Sequence, residues 1–226
     1  MRKKLYLLAA FAIFLLAISL VLSTTSQQIH AEITDDLGRA VSIEKKPERI
    51  VSLAPSCTEI LYALGLGDKV VGVTTYCDYP PEALSVTKVG GPANVDVEKV
   101  ISLQPDLVLA STITPPETIE RLEELGVPVI VLDPKTIDDV YHDIELVGKA
   151  TGKEAEAGEL ILSMKLKISQ VEQKVSAQQT KVRVLYICWL EPIYASGSNT
   201  FVNDAIAKAG GENVFAEKQG WIVVSP

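Results

Sequence analysis

One strand–helix–strand pattern, between residues 49 and 81, constrains the fold of this chain more than any other feature. Residues 50–54 and 70–74 are short, largely apolar runs rich in β-branched side chains. Neither run alternates polar with apolar residues, which is typical of strands buried on both faces of a parallel sheet. With a helix between them and short connections, the two runs predict a right-handed βαβ unit.

The helix of this unit has a predicted start and a predicted end. Ser56 and Glu59 have the spacing of a capping box, and Gly65 stands where the helix should stop. The segments after the two strands, residues 55–57 and 75–81, then emerge at one edge of the sheet. Open α/β sheets bind ligands at that edge, so Ser56 is a candidate ligand-binding residue.

Strands and helices continue to alternate through residues 32–152, the predicted first lobe. The expected elements are a hairpin around residues 35–38, a helix over 95–103, a strand over 107–110, a helix from a second capping box at 114–117 to Gly126, a strand over 128–132 and a helix over 136–150. Such alternation predicts a parallel sheet with helices on both faces.

Residues 153–179 form a different pattern, that of one long helix. Apolar residues recur at spacings of three and four, at Ile161, Met164, Ile168, Val171 and Val175. At about 1.5 Å per residue, the helix would span about 39 Å. That length suits a connection between two lobes, a coiled-coil arm or a helix packed along one domain.

Residues 180–226 predict a second, smaller α/β region. A strand is expected over 182–187 and a helix over 200–209. So short a region is too small to bury a core of its own. We therefore expect this second lobe to be incomplete, and the chain to be a fragment or the product of a shortened reading frame.

Residues 1–31 predict export. Basic residues 2–4 precede an apolar run, residues 5–22, which suits a signal peptide or an uncleaved N-terminal membrane anchor. Either places the remainder outside the cytoplasm, in the periplasm or at the outer face of the membrane. No cysteine follows the run, so a lipid-modified cysteine is not expected.

Charge and cysteine content narrow the partners further. The formal charge is −8, and residues 1–31 hold three basic and no acidic residues, which leaves −11 on the remainder. An acidic surface argues against nucleic acid as a partner. Cys57 and Cys77 follow neighbouring predicted strands and either form a disulfide or remain two buried thiols, while Cys188 stands apart.

The residues do not predict an enzyme or a metal site. Beyond residue 31 the chain holds a single histidine, His142, inside a predicted helix. One histidine without a nucleophile motif makes no catalytic triad, and it is too few for a zinc or manganese site. The glycines at 65 and 67 follow a helix and precede a strand, the reverse of a dinucleotide-binding loop. We therefore expect no cofactor.

Several ordered motifs carry a family resemblance. The runs RIVSLAPSCTEILYALG, VVGVTTYCDYPPEA, DVEKVISLQPDLVLA, ASG and GGENVF resemble the periplasmic cobalamin-binding proteins of ABC importers, within the wider group of iron-siderophore and cobalamin binding proteins. The resemblance covers most of residues 33–226. It implies a two-lobed α/β fold, with parallel sheets flanked by helices and residues 153–179 as the stiff connection between lobes.

The resemblance also implies roles for aromatic residues. Tyr76 would pack against the corrin ring, and Tyr79, on the same loop, either contacts the ligand or is structural. Where the family has a ring-contacting tryptophan, this chain has Gly91 followed by proline. Trp189 and Trp221 are candidates for ligand contact from the second lobe, with burial in the lobe core as the alternative.

Polar residues complete the expected sites. The run that begins with Ser196 and Gly197 precedes a predicted helix, so its backbone donors face a polar ligand group. The alternative is ordinary capping of that helix by Ser198 or Thr200. Glu98 and Glu212 match the acidic positions, one per lobe, that pair with permease arginines in the resembled family. Such charges orient docking more than they add affinity.

These observations together predict an exported binding protein that captures cobalamin or another corrinoid for an ABC importer and performs no chemistry. The expected partners are the small-molecule ligand and the membrane permease, and the protein is expected to be monomeric. A ferric siderophore or haem carrier is the alternative ligand class. An α/β enzyme or a non-binding remnant remain alternative functions.

Overall fold

The computed structural model describes residues 31–178 and 180–224. The strands are β1 (Ala31–Thr34), β2 (Ala40–Ile43), β3 (Ile50–Ser52), β4 (Val70–Val73), β5 (Gly90–Gly91), β6 (Asn94–Val95), β7 (Leu107–Ser111), β8 (Val129–Leu132), β9 (Val182–Val184), β10 (Ile187–Leu190), β11 (Ile193–Ser196), β12 (Gly211–Asn213) and β13 (Trp221–Val224). The α-helices are α1 (Pro55–Ala63), α2 (Val97–Ser102), α3 (Pro116–Glu124), α4 (Ile137–Thr151), α5 (Glu154–Val175) and α6 (Phe201–Lys208).

The centre of the first region is a four-stranded parallel sheet in the order β4-β3-β7-β8. Its strands are buried almost throughout, as their continuous apolar runs predict. The predicted βαβ unit is present, because β3 and β4 are parallel neighbours joined through α1. The α/β fold class is therefore confirmed.

Helices cover both faces of this sheet. On one face, α1, α4 and the β1–β2 hairpin share a core with the sheet, including Ile50, Leu61, Leu109, Ile130 and Val147. On the other face, α2 and α3 pack on the alternate strand residues, including Val51, Val108, Leu122 and Val131. Because successive side chains of a strand point to opposite faces, every central strand contributes to both cores.

Both capping boxes predicted at the starts of α1 and α3 are wrong, and the reason is the same. Neither helix has a side-chain cap, and their N-cap residues are Ala54 and Pro115. Each helix begins at a proline, whose fixed φ suits the first helical position. Ser56 therefore lies inside its helix, while Thr114 lies one residue before the N-cap of α3.

The second region departs from the prediction of a single strand over residues 182–187. The chain forms β9 and then, after a break, β10. β9 pairs in parallel with β12, whereas β10, β11 and β13 form an antiparallel sheet. All four residues of β10 are exposed, in contrast to the strands of the first region.

The long helix α5 contacts both regions. Its 22 residues span about 33 Å at about 1.5 Å per residue. Near its start, Leu160 and Met164 pack against the core of the first region. At its end, Val175 lies beside Gly210, where an added Cβ would stand 2.7 Å from the Val175 Cβ.

The structure tests the predicted disulfide but not the predicted export segment. Cys57 and Cys77 are both free and buried, so the disulfide alternative is wrong for this structure. The predicted export segment over residues 5–22 lies outside the described residues. Among the residues that are described, no helix has the length and apolar character to cross a membrane.

Candidate functional site

A pocket of about 550 Å³ lies at the carboxyl edge of the central sheet, between the two regions. It is lined by residues from α1, α4, α5, α6, the end of β8 and the loop of residues 75–81 after β4, here called the tyrosine loop: Ser56, Glu59, Ile60, Ala63, Tyr79, Leu132, Pro134, Val140, Asp143, Ile144, Leu160, Met164 and Phe201. The lining is largely apolar with a few polar groups, as is usual for small-molecule sites.

Helical spacing explains why these side chains meet. Ser56, Ile60 and Ala63 lie four and three residues apart on α1, so they share one helix face. Val140 and Ile144 present the facing side of α4. The helix α5 then closes the pocket from the side.

A larger cavity, of about 780 Å³, is a weaker candidate. It is lined by Pro105 and Asp106 before β7 and by residues 126–128 before β8, and so it lies at the amino edge of the sheet. Parallel sheets bind ligands at the opposite, carboxyl edge. The smaller pocket is therefore the candidate site.

The pocket is lined by a buried acid, Asp143, whose pKa is strongly raised. Asp143 is 1% exposed, and its Oδ1 has no hydrogen-bond partner among the described residues. Burial, followed by the charge and hydrogen bond of Asp36 and the charges of Asp139 and Asp133, raises the pKa of Asp143 to about 8. At neutral pH this carboxyl is therefore mostly protonated, and the neighbouring acids favour that state because a second negative charge beside theirs would be repelled.

The hairpin turn between β1 and β2 brings Asp36 to this position. Asp36 Oδ2 accepts a hydrogen bond from the Asp133 backbone N–H at 2.5 Å, just after β8. The neighbouring Asp35 accepts from the Val131 N–H at 3.1 Å and from the Arg39 guanidinium at 2.6 Å. These bonds fix the turn against the edge strand β8, so Asp36 stands beside Asp143.

The tyrosine loop follows β4, as the sequence predicts. Tyr76 and Tyr79 are 67% and 64% exposed, so neither is a core residue. Lys88 Nζ donates to the carbonyls of Cys77 and Ala83 at 2.9 and 3.0 Å, which fixes the loop from beneath. The structure thus presents two aromatic rings on an anchored loop.

The two tyrosines occupy different places. Tyr79 lines the pocket, whereas Tyr76 lies near Gly91, where an added Cβ would stand 3.6 Å from Tyr76 Cε2. The sequence leaves open whether Tyr79 contacts ligand or is structural. Its exposure and its position in the pocket favour ligand contact.

The two tryptophans are not among the residues that line the pocket. Trp189, in β10, is 64% exposed, and its Nε1 donates to the Glu191 carbonyl at 2.9 Å. Trp221, in β13, is 51% exposed, and its ring centroid lies 6.2 Å from that of Tyr186. Neither ring is therefore buried in a core formed by the described residues.

Ser196 and Gly197 make contacts within the second region instead of facing the pocket. The backbone N–H groups of Ser196 and Gly197 donate to Tyr186 and Gly220, at 3.2 and 2.9 Å. The Ser196 hydroxyl is buried against the Thr200 hydroxyl at 2.6 Å. Thr200 caps α6, so the prediction of ordinary helix capping is confirmed and the backbone donors are occupied.

The two acidic residues predicted to dock a permease are exposed. Glu98 lies in the first turn of α2, and Glu212 lies in β12. His142 is likewise exposed on α4. Within the described ranges, histidine, cysteine and acidic side chains form no group of three or more that could hold a metal ion.

Sequence reasoning missed Asp143 and Phe201. Asp143 lies between Tyr141 and Ile144, within the apolar stripe of α4, and an acid in such a stripe is a signal of a special environment. Phe201 directly follows the cap of α6, but nothing in the sequence pattern places that helix beside α4 and α5.

Comparison with known proteins places the chain in one group. Residues 50–226 match the family described as periplasmic binding protein. An uncharacterized ABC transporter substrate-binding lipoprotein, YvrC of Bacillus subtilis, is 42% identical over 197 residues, which cover 84% of this chain and 62% of that protein. A vitamin B12-binding protein of Yersinia pestis is 31% identical over 173 residues, covering 76% of this chain and 61% of that protein.

Solved structures show the same fold with different ligand names. The periplasmic vitamin B12 binding protein BtuF of Vibrio cholerae has a TM-score of 0.71 and 31% identity, covering 79% of this chain and 71% of that one. The periplasmic heme-binding protein RhuT of Roseiflexus sp. RS-1 has a TM-score of 0.72 and 32% identity, with the same coverage of 79% and 71%. The chain spans about three fifths of the curated relatives that it matches, 62% and 61% of their lengths.

Proposed function

The chain belongs to the periplasmic binding protein family, and from this premise we propose that it is the extracytoplasmic substrate-binding protein of an ABC importer. It captures a small molecule at the carboxyl edge of its first sheet and delivers it, chemically unchanged, to a membrane permease. A similar protein named as an ABC transporter substrate-binding lipoprotein supports this class. The predicted export segment over residues 1–31 is consistent with it.

For the ligand we propose cobalamin or a related corrinoid, and the charge of the pocket carries this choice. Of the described side chains that line it, Glu59 is an exposed acid, Asp143 is a buried acid that is mostly protonated at neutral pH, and none is lysine or arginine. Haem carries two propionates, and many ferric siderophores are anionic. A ligand carboxylate about 4 Å from the Glu59 carboxylate would cost about 4 kcal/mol at an effective dielectric constant of about 20. The peripheral side chains of a corrinoid are mostly neutral amides, which avoid this cost.

The aromatic residues support a flat ligand. Tyr76 and Tyr79 together offer large, rigid contact area at little entropic cost. A corrinoid exceeds a pocket of about 550 Å³, so the pocket takes one edge of the ligand while the tyrosines contact the ring. Trp189 and Trp221 stay candidates for contact from the second region, since both are exposed.

Haem is the second candidate. The likeness to RhuT, at a TM-score of 0.72, favours it as much as BtuF, at 0.71, favours cobalamin. The phenol of Tyr79 could serve as an axial ligand to iron. His142 could not serve from its exposed position on α4, outside the pocket lining.

Calorimetric titration of the purified protein with cyanocobalamin tests the proposal. We expect one saturable site, weakened at least about tenfold by Tyr79→Ala and by Tyr76→Ala through lost aromatic contact. Leu162→Ala, which truncates an exposed apolar residue outside the pocket lining, is the control. Saturable haem binding without cobalamin binding overturns the ligand choice, and a folded protein that binds neither overturns the site.

We also propose that Glu98 and Glu212 dock the protein on its permease, because both are exposed acids. Reversing both charges to arginine should abolish uptake of the ligand in cells and leave its binding in solution unchanged. Uptake that survives the double reversal would refute this docking role.

A further inference from the structure

A hydrogen bond between α6 and the start of α4 joins the second region to the first beside the pocket. The backbone N–H of Ile137, the first residue of α4, donates to Asp204 Oδ2 at 2.8 Å. Asp204 lies on α6, 67 residues further along the chain. It is thus a helix cap supplied from the other side of the pocket.

The local sequence leaves this donor unpaired. The capping box of α4 pairs the Thr136 hydroxyl with the Asp139 N–H at 3.1 Å, and the Asp139 carboxylate with the Thr136 N–H at 2.8 Å. The N–H of Ile137 is not part of that box and needs an acceptor from elsewhere. A carboxylate at a helix N-terminus also gains from the helix dipole, so Asp204 meets both requirements.

A second contact sets the rotation of α6. Lys208, one turn beyond Asp204, places its Nζ 3.9 Å from Asp138 Oδ2 and 3.6 Å from Glu172 Oε1. These acids lie on α4 and α5. Since such partly exposed ion pairs are individually weak, the cap by Asp204 is the dominant contact and Lys208 adds orientation.

These contacts bear on the pocket through Phe201. Phe201 precedes Asp204 by three residues, so both lie on one face of α6. Phe201 lines the candidate pocket on one side and an apolar groove of the second region on the other. The position of this aromatic wall therefore depends on how α6 is held against α4.

We propose that Asp204 is a positioning residue, which caps α4 and thereby holds Phe201 in place as the second-region wall of the ligand pocket. This role rests on the proposed function for its effect on binding, but the cap itself does not. The hydrogen bond from the Ile137 N–H to Asp204 fixes the distance between the two regions before ligand binds. Binding then requires little rearrangement of α6.

The first test needs no ligand. Amide hydrogen exchange at Ile137 should become about tenfold faster in Asp204→Ala, because the amide loses a charged acceptor at the helix terminus. Asp204→Asn should give an intermediate rate, since its amide oxygen still accepts a hydrogen bond. Glu217→Ala, which removes an exposed acid of the second region, is the control. Unchanged exchange at Ile137 in Asp204→Ala overturns the inference whatever the ligand.

The second test uses cyanocobalamin and a double-mutant cycle. Asp204→Ala should weaken binding about fivefold in the wild-type background and have no further effect in Phe201→Ala, because both changes remove the same wall. Independent, additive losses would overturn the positioning role. If wild type binds no cyanocobalamin, the proposed ligand fails, and the exchange experiment alone decides the inference.

Discussion

The buried acid Asp143 makes a prediction that can be worked out from the structure. Its pKa is raised from 3.8 to about 8, chiefly by burial and then by Asp36. Between these values the folded protein holds a proton on Asp143 that the unfolded chain has lost. The stability contributed by this group is therefore fully present below about pH 4 and is lost as the pH rises towards about 8.

The magnitude follows from the linkage of one proton. Between about pH 5 and pH 7, the free energy of unfolding should fall by about 1.4 kcal/mol per pH unit, or about 3 kcal/mol in total. Other perturbed groups act outside this window. The pKa values of Asp139 and Glu156 are lowered from 3.8 and 4.5, while that of Cys57 is raised from 9.0 to about 12.

Asp143→Asn is the perturbation that isolates this effect. The asparagine amide can donate to the Asp36 carboxylate without an added proton, so the fall between pH 5 and pH 7 should disappear. Urea unfolding at several pH values measures the slope. Glu145→Gln, which neutralises an exposed acid of the same helix, should keep the wild-type slope. Equal slopes in wild type and Asp143→Asn would refute the assignment of a protonated Asp143.

Three further predictions concern packing, capping and thiol reactivity. Gly148→Ala should destabilise the protein by about 1–3 kcal/mol, because its Cβ would stand 2.7 Å from the Ala157 Cβ where α4 meets α5. Thr136→Ala should cost about 1 kcal/mol through loss of the cap of α4. In the native protein a thiol reagent should modify Cys188 rapidly and spare the two buried cysteines, since only exposed thiols are accessible.

A control variant and specific contradicting results are available for these three predictions. Gly158→Ala, on α5 with nothing within 4 Å of the added Cβ, should stabilise the protein by up to about 1 kcal/mol. Equal effects at both glycines would contradict the packing argument. An unchanged urea midpoint in Thr136→Ala would contradict the capping role. Rapid modification of more than one thiol under native conditions would contradict the burial of Cys57 and Cys77.

The predicted starts of α1 and α3 were wrong because each helix begins at a proline. The spacing of Ser56 and Glu59 matches a capping box with Ser56 as the N-cap, but the helix begins at Pro55 and its N-cap is Ala54, two residues earlier. The helix α3 likewise begins at Pro116 and is not capped by the predicted Thr114. In each case a nearby hydroxyl and a proline were competing start signals, and the fixed φ of proline set the first helical residue.

The sequence by itself determined the first region in outline. Continuous β-branched runs, glycine stops and helical stripes predict β3, α1, β4, β7 and β8, and the parallel sheet follows from their alternation. Those signals are local, so each can be read within a few residues. The loop with Tyr76 and Tyr79 follows from the same logic, because strand order places it at the carboxyl edge.

Only the tertiary structure decided which residues surround the pocket. The raised pKa of Asp143 depends first on its burial and then on Asp36, which a hairpin turn brings from the far end of the first region. The wall at Phe201 depends on Asp204 reaching the start of α4, 67 residues away along the chain. Burial and helix capping of this kind arise from contacts between distant elements, and no periodicity or spacing within one element encodes them.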